Sequence, residues 1–413
     1  MFDLPAAAQL NRVERVLRLL AIAWGATFGF VCLHMLYQLD AHGISTAIGK
    51  PPTLDFTNLW YGGRLALQDR VAELFDIAAY RAGLEQLFSS RLQPSEWSYP
   101  PTLLLVGMPL ALLPLYAAFF VWTAGTLAAL AAVLRRAGVP VIGLLLLAFS
   151  PAELNNIFFG HNGAATAALL IGGLLIAPRR PMLAGLCFAL LTMKPHLGIL
   201  VPICLLATRN WRAIGWSALF TVVLCGLTLA VFGPEVWKGF WQVTRPFMNG
   251  VLEAPYGNGY QQNAATLFLT ARWLGADLPL AYAAQAAAAA ACALVAWRVW
   301  RTTAETEVKV ALTALLTPLA TPYAYSYDLV MVAAAVLIIA YRVRPSLPLI
   351  VLWLLPTTVA PLNIAIGHVS PLILAAALLC LVQTRGFPIK PGYAQWLSSL
   401  RSAPRLPFSA LPR

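Results

Sequence analysis

Charged side chains are scarce in this chain. They make up 11% of its 413 residues, against 60% apolar, where a soluble domain carries about 25% charged residues. So little polar material cannot cover a soluble fold of this size. With a mean hydropathy of +0.73, an ordinary soluble enzyme and a disordered chain are both excluded. Paired cysteine motifs are missing as well. Cys32, Cys187, Cys204, Cys225, Cys292 and Cys380 all sit in apolar runs without CxxC spacing, which excludes a disulfide scaffold and reads as small buried hydrophobes. No Walker loop, no GxGxxG unit with its acid, no HExxH pair and no GxSxG elbow occurs, so nucleotide binding, zinc hydrolysis and serine hydrolysis lose their usual sequence carriers. The histidines lack metal-ligand spacing, and neither a metal nor a cofactor is expected.

What is present in abundance is apolar segment. A membrane span needs about 20 apolar residues, and candidate spans lie at 16–37, 115–134, 140–156, 163–178, 182–193, 196–207, 213–232, 279–298, 308–321, 328–341, 346–362 and 369–383. The expectation is an all-α polytopic membrane protein with about 12 transmembrane helices. The stretches 101–113 and 264–274 are apolar but short, and read as interfacial or re-entrant helices. Arg12, Arg15 and Arg18 precede the first span without a small-residue cleavage site, the pattern of a retained signal anchor.

The net charge of +12 gains a meaning from this threading. With the N-terminus inside, 19 of the 28 Lys and Arg fall on the inner side, but only four of the 16 acids. The basic asymmetry is the positive-inside signature, not a surface for nucleic acid. It predicts an integral cytoplasmic-membrane protein with both termini in the cytoplasm. Residues 1–385 form the membrane domain, 38–114 and 233–278 are long external loops, and 386–413 is a cytoplasmic tail.

Inner connections are short and basic, whereas the polar clusters fall at outer helix ends, so the candidate site is external. Asp55 lies between Leu54 and Phe56, close to Trp60, Tyr61 and Arg64. Partial burial raises a carboxylate and makes it a better base; the plainer reading is a helix cap. The stretch 63–88 reads as one amphipathic surface helix. Tyr99 leads Pro100–Pro101, a helix start. Lys194, between Leu190–Leu191 and Leu197–Gly198, is followed by Pro195 and His196. A charge inside a span costs about 2.5–3.5 kcal/mol, so Lys194 is either an anion-binding cation at a helix break or a snorkelling interfacial lysine. His161–Asn162 forms a similar polar corner or a simple tight turn. In 249–263, Tyr256, Gln261 and Asn263 are of the types that bind sugar hydroxyls, and equally of an external loop. Tyr323 and Tyr327 before Asp328 suit a sugar site or an aromatic interfacial belt.

Taken in order, these pieces resemble glycosyltransferase family 87, polytopic enzymes of the GT-C fold. The matching residues are Asp55–Phe56, Tyr61–Gly62–Gly63–Arg64–Leu65–Ala66–Leu67, Tyr99–Pro100–Pro101, Gly160–His161–Asn162–Gly163, Leu190 through His196, Thr321–Pro322–Tyr323 and Tyr327–Asp328. The resemblance implies an inverting transfer of a hexose, typically mannose, from a polyprenyl-phosphate donor to a lipid or glycan acceptor outside the membrane. It implies Asp55 as the base. Lys194, His196 and Arg64 would hold the donor phosphate, and Tyr61, Tyr99, His161, Asn162, Tyr256, Gln261, Asn263, Tyr323, Tyr327 and Asp328 would line the sugar and acceptor sites. The chain departs from the family at His161, where Gln is common, and in its tyrosine-rich 321–328 start. A transporter or flippase of a lipid-linked saccharide is the alternative, and a ligase moving a whole lipid-linked glycan a third reading. Oligomeric state is not legible.

Overall fold

The computed structural model describes residues 6–343 and 346–383; the expected tail, 386–413, lies outside the described residues. Within them the regular structure is helical, with isolated bridges in place of strands. After α1 (Ala6–Tyr37), the first long loop folds into α2 (Phe56–Leu67), α3 (Ile77–Leu87) and α4 (Leu104–Ala111). Then come α5 (Leu115–Arg136), α6 (Val141–Ala148), α7 (Pro151–Phe159), α8 (Gly163–Ile176), α9 (Pro181–Leu191), α10 (Val201–Ala207) and α11 (Trp211–Phe232). The second long loop holds α12 (Glu235–Gly239), α13 (Arg245–Glu253), α14 (Gly259–Gln262) and α15 (Leu267–Trp273). The order closes with α16 (Leu278–Trp300), α17 (Thr306–Ala320), α18 (Val330–Arg342), α19 (Leu347–Ile366) and α20 (Ser370–Gln383).

Among the described residues, five helices are long and apolar enough to cross a membrane, or six if α6 and α7 are one span bent by 45°. The expected twelve are not reached by length. Prolines and left-handed glycines cut the apolar runs into shorter pieces. Pro151 opens α7 behind a Ser150 cap, which accepts the Glu153 N–H at 3.2 Å. Gly160, at φ +64°, ends α7, and Pro195 breaks the run between α9 and α10. Only the Ser150–Pro151 break falls inside an expected span; those at Gly160 and Pro195 lie between expected spans, and the count falls short because α8, α9, α10, α17, α18 and α20 have only 7 to 15 residues. The amphipathic stretch 63–88 is broken in the same way. Asp69 adopts φ +57°, and Asp76 caps α3 by accepting from the Ala78 and Ala79 N–H groups at 3.0 Å.

Packing is centred on α18, whose residues Val330 through Ala340 are buried on every face, as expected for a helix apolar all round. It packs with α8 and α17 in the largest apolar cluster. A second cluster joins α2, α3 and α4 around Tyr61, Tyr80 and Trp97. A third joins α13 and α15 to Tyr325 and Tyr327. The turn between α7 and α8 lies where the three approach one another.

Candidate active site

Two glycines bracket the α7–α8 turn and let three segments converge on it. A Cβ at Gly160 would stand 2.1 Å from the Thr53 carbonyl oxygen, and one at Gly163 would stand 2.1 Å from that of Tyr327. The loop carrying Asp55 therefore packs directly on one side, where the Asp55 N–H donates to the Phe159 carbonyl at 3.1 Å. The segment 321–328 packs on the other. His161, between the glycines, is held against both.

A string of polar side chains results. Asp55 Oδ2 lies 3.0 Å from His161 Nε2, and Lys50 Nζ is 3.9 Å from Asp55 Oδ1. The His161 ring stacks on Tyr327 with centroids 3.6 Å apart and planes at 7°. Its Nδ1 lies 3.5 Å from Lys194 Nζ, and that ammonium donates to Asp328 Oδ1 at 2.6 Å. Asp328 Oδ2 in turn accepts the Tyr325 N–H at 3.2 Å. Lys194 also sits 5.1 Å from the Tyr327 ring centroid, within cation–π range.

Charges set the protonation of this string. Burial pushes the Asp55 carboxyl up, as the sequence led one to expect. The His161 hydrogen bond, the charge that this imidazole gains once protonated at low pH, and the charges of Lys50 and Lys194 outweigh it, so the net direction is below the ordinary carboxylate value. The expected rise is thus corrected: Asp55 is an ionised carboxylate. Burial pushes His161 down and Lys194 adds to this, against the opposing pull of Asp55. A neutral imidazole with hydrogen on Nε2 satisfies both neighbours, donating to Asp55 and turning its Nδ1 lone pair to the ammonium.

Beside this string opens a cavity of about 530 Å³. Of the expected site residues, Tyr99, His161, Lys194, His196, Tyr323, Tyr327 and Asp328 line it. Asp55 is not among the lining residues, but its carboxylate lies against the lining His161 and its side chain is 31% exposed. Several other expected residues are engaged elsewhere. Arg64 lies over the Trp60 ring at 5.5 Å. Tyr61 packs on Tyr80 in the second cluster. Asn162 is buried at the start of α8, its Oδ1 without a partner among the described residues. Tyr256 reaches His368 Nδ1 at 3.3 Å. Gln261 is spent on folding its own loop, donating to the Ala254 carbonyl at 2.9 Å and accepting the Gly257 N–H at 3.0 Å. Asn263 pins that loop to the 321–328 segment, accepting the Ser326 hydroxyl at 2.7 Å and, through its carbonyl, the Ser326 N–H at 2.9 Å.

The cavity also has a wall that the sequence reading left out. Trp237, Phe240, Trp241, Thr244, Arg245 and Met248 all face it. Their spacing is i, i+3, i+4, i+7, i+8, i+11, one continuous helical face, and this periodicity is the signal that would have found them. The chain runs from α12 into α13 through a π-helical turn at Phe240–Thr244, a local widening frequent at functional sites. Thr244 Oγ1, at the end of this turn, is buried without a hydrogen-bond partner among the described residues. The Arg245 guanidinium rests 4.9 Å from the Trp241 ring centroid, which leaves its N–H edges available to an anion. Among the described residues, no group of three His, Cys, Asp or Glu side chains converges as a metal site would require.

Chemically, the arrangement offers an ionised carboxylate that can accept a proton, held by a neutral imidazole. It also offers cations at the cavity edge and an aromatic, phenol-rich wall of the kind that stacks on sugars. The sequence model of glycosyltransferase family 87 matches residues 97–322, more than half of the chain. The match includes the α7–α8 turn, Lys194 and the α12–α13 wall, but begins after Asp55 and ends before Asp328. No curated protein and no solved structure matches the chain.

Proposed function

The chain belongs to glycosyltransferase family 87, and from that premise we propose that it is an inverting hexosyltransferase. It takes a hexose, by resemblance mannose, from a polyprenyl-phosphate donor and passes it to a hydroxyl of a lipid or glycan acceptor. We read the shorter apolar helices as broken spans that complete a GT-C-like bundle, with the cavity on the external face of the cytoplasmic membrane. The observation that carries the reading is the unbroken string Asp55–His161–Lys194–Asp328 beside an aromatic cavity.

In this mechanism Asp55 is the base. Its partial exposure leaves lone pairs open to an acceptor hydroxyl, while His161 fixes its orientation. As the hydroxyl oxygen forms its bond to the anomeric carbon, its proton passes to Asp55. The bond from that carbon to the phosphate oxygen breaks, and the electron pair leaves with the lipid phosphate. Negative charge then grows on a phosphate that Lys194 and Arg245 face, with His196 beside them. Attack opposite the leaving group inverts the anomeric centre and needs no covalent intermediate. Family membership favours this transferase over a transporter.

A donor panel tests the reading. The purified full chain, given a membrane acceptor extract, is expected to transfer label from polyprenyl-phosphate-mannose with inverted configuration. Transfer from a nucleotide sugar but from no lipid-phosphate sugar would remove the donor assignment.

A further inference from the structure

A second cavity, of about 480 Å³, lies between α5, α8 and α9. It sits at the opposite ends of those helices from the active site. α8 starts beside His161 and runs 14 residues away from it, about 20 Å at 1.5 Å per residue. α9 returns from Pro181 toward Lys194. The rim carries Arg136, Arg179 and Arg180, and the floor is apolar, including Leu175, Leu183 and Cys187. All three arginines are exposed, and among the described residues none has a side-chain hydrogen bond or ion pair. The acid on the rim, Glu307, is turned to Arg342 at 3.5 Å. The groove thus presents uncompensated guanidinium groups above a greasy slot, on a bundle in which α5 is long and apolar enough to span a membrane and α8 and α9 are shorter apolar helices.

We propose that this groove binds an anionic phospholipid of the surrounding bilayer. The phosphodiester lies against Arg136, Arg179 and Arg180, and an acyl chain runs along the floor between α8 and α9. Charge complementarity selects the headgroup: guanidinium forks suit phosphate oxygens, and basic pockets between spanning helices on the inner side suit anionic lipids. The apolar floor selects a lipid over a free anion.

Native mass spectrometry of the full chain in detergent, titrated with dioleoylphosphatidylglycerol or dioleoylphosphatidylcholine, tests this. The wild type is expected to prefer the anionic lipid by roughly 100-fold, about fivefold for each arginine at about 1 kcal/mol apiece. The triple variant R136Q/R179Q/R180Q is expected to lose that preference. R209Q/R212Q, which changes nearby arginines outside the groove, is expected to keep it. If the triple variant does not fold, R179Q alone is expected to lose about fivefold. Undiminished preference in the groove variants, equal loss in R209Q/R212Q, or full displacement by equimolar inorganic phosphate would each overturn the proposal.

Discussion

At the scale of single residues, the site turns on how burial and charge compete around Asp55 and Lys194. Both were conspicuous in the sequence, because a charge flanked by apolar residues needs a reason. Their linkage was not, since His161 and Asp55 are 106 residues apart and Lys194 and Asp328 are 134 apart. No local pattern encodes such pairings. The same competition makes a pH prediction. A base must be ionised, so kcat/KM falls as pH falls through the Asp55 pKa, which lies below the ordinary carboxylate value. In His161→Phe the stacking on Tyr327 survives but the hydrogen bond does not. Burial then pushes the Asp55 carboxyl up with less opposition, and the acidic limb of the rate profile should move to higher pH. The variant should also lose about 10- to 100-fold in kcat/KM, the worth of a hydrogen bond to a charged group. An unmoved acidic limb would deny His161 its role beside Asp55. The Lys194–Asp328 pair, with side chains 8% and 2% exposed, makes a stability prediction. Asp328→Asn leaves a buried ammonium without its counter-charge and should cost about 3–5 kcal/mol, whereas Lys194→Met with Asp328→Leu should recover much of that loss. Denaturant unfolding in detergent measures both.

At the scale of elements, the site exists because short helices end where they do. Gly160 and Gly163 are too small to hold the neighbouring backbones apart, and that is their contribution. Gly160→Ala places a methyl against the Thr53 carbonyl at a backbone φ of +64°. It should cost about 1–2 kcal/mol for the left-handed conformation alone. By shifting the Asp55 loop, it should also lower turnover about 100-fold, as misplacement by an ångström does. A steady-state assay beside a melting curve separates the two effects; unchanged turnover would mean that the loop tolerates displacement. Helix type was legible from the apolar runs, but not in the second long loop, where α12, α13 and α14 form on stretches expected as loop. Most helix bounds were legible too, since α9 at Pro181–Leu191 and α20 at Ser370–Gln383 lie close to the expected 182–193 and 369–383; the break missed was Ser150–Pro151, inside the expected 140–156. The α12–α13 wall was legible in principle, since Trp237, Trp241 and Arg245 fall on one helical face, but its π-helical turn has no sequence signature.

At the scale of the whole molecule, the scarcity of charge is what makes the remaining charges readable. On the positive-inside reading, the basic excess on short connections would orient the bundle. One part of it, around Arg136, Arg179 and Arg180, forms a groove at the end remote from the active site. The other end gathers Asp55, His161, Lys194 and Asp328 from four separate stretches of a chain that belongs to glycosyltransferase family 87. The central claim is that this gathering serves hexosyl transfer with Asp55 as base. The most direct test is single-turnover transfer from polyprenyl-phosphate-mannose by purified wild type and Asp55→Asn, with donor binding measured on the same samples. The expected result is a loss of transfer of about 10²- to 10⁴-fold with donor affinity retained; transfer by Asp55→Asn at the wild-type rate would contradict it.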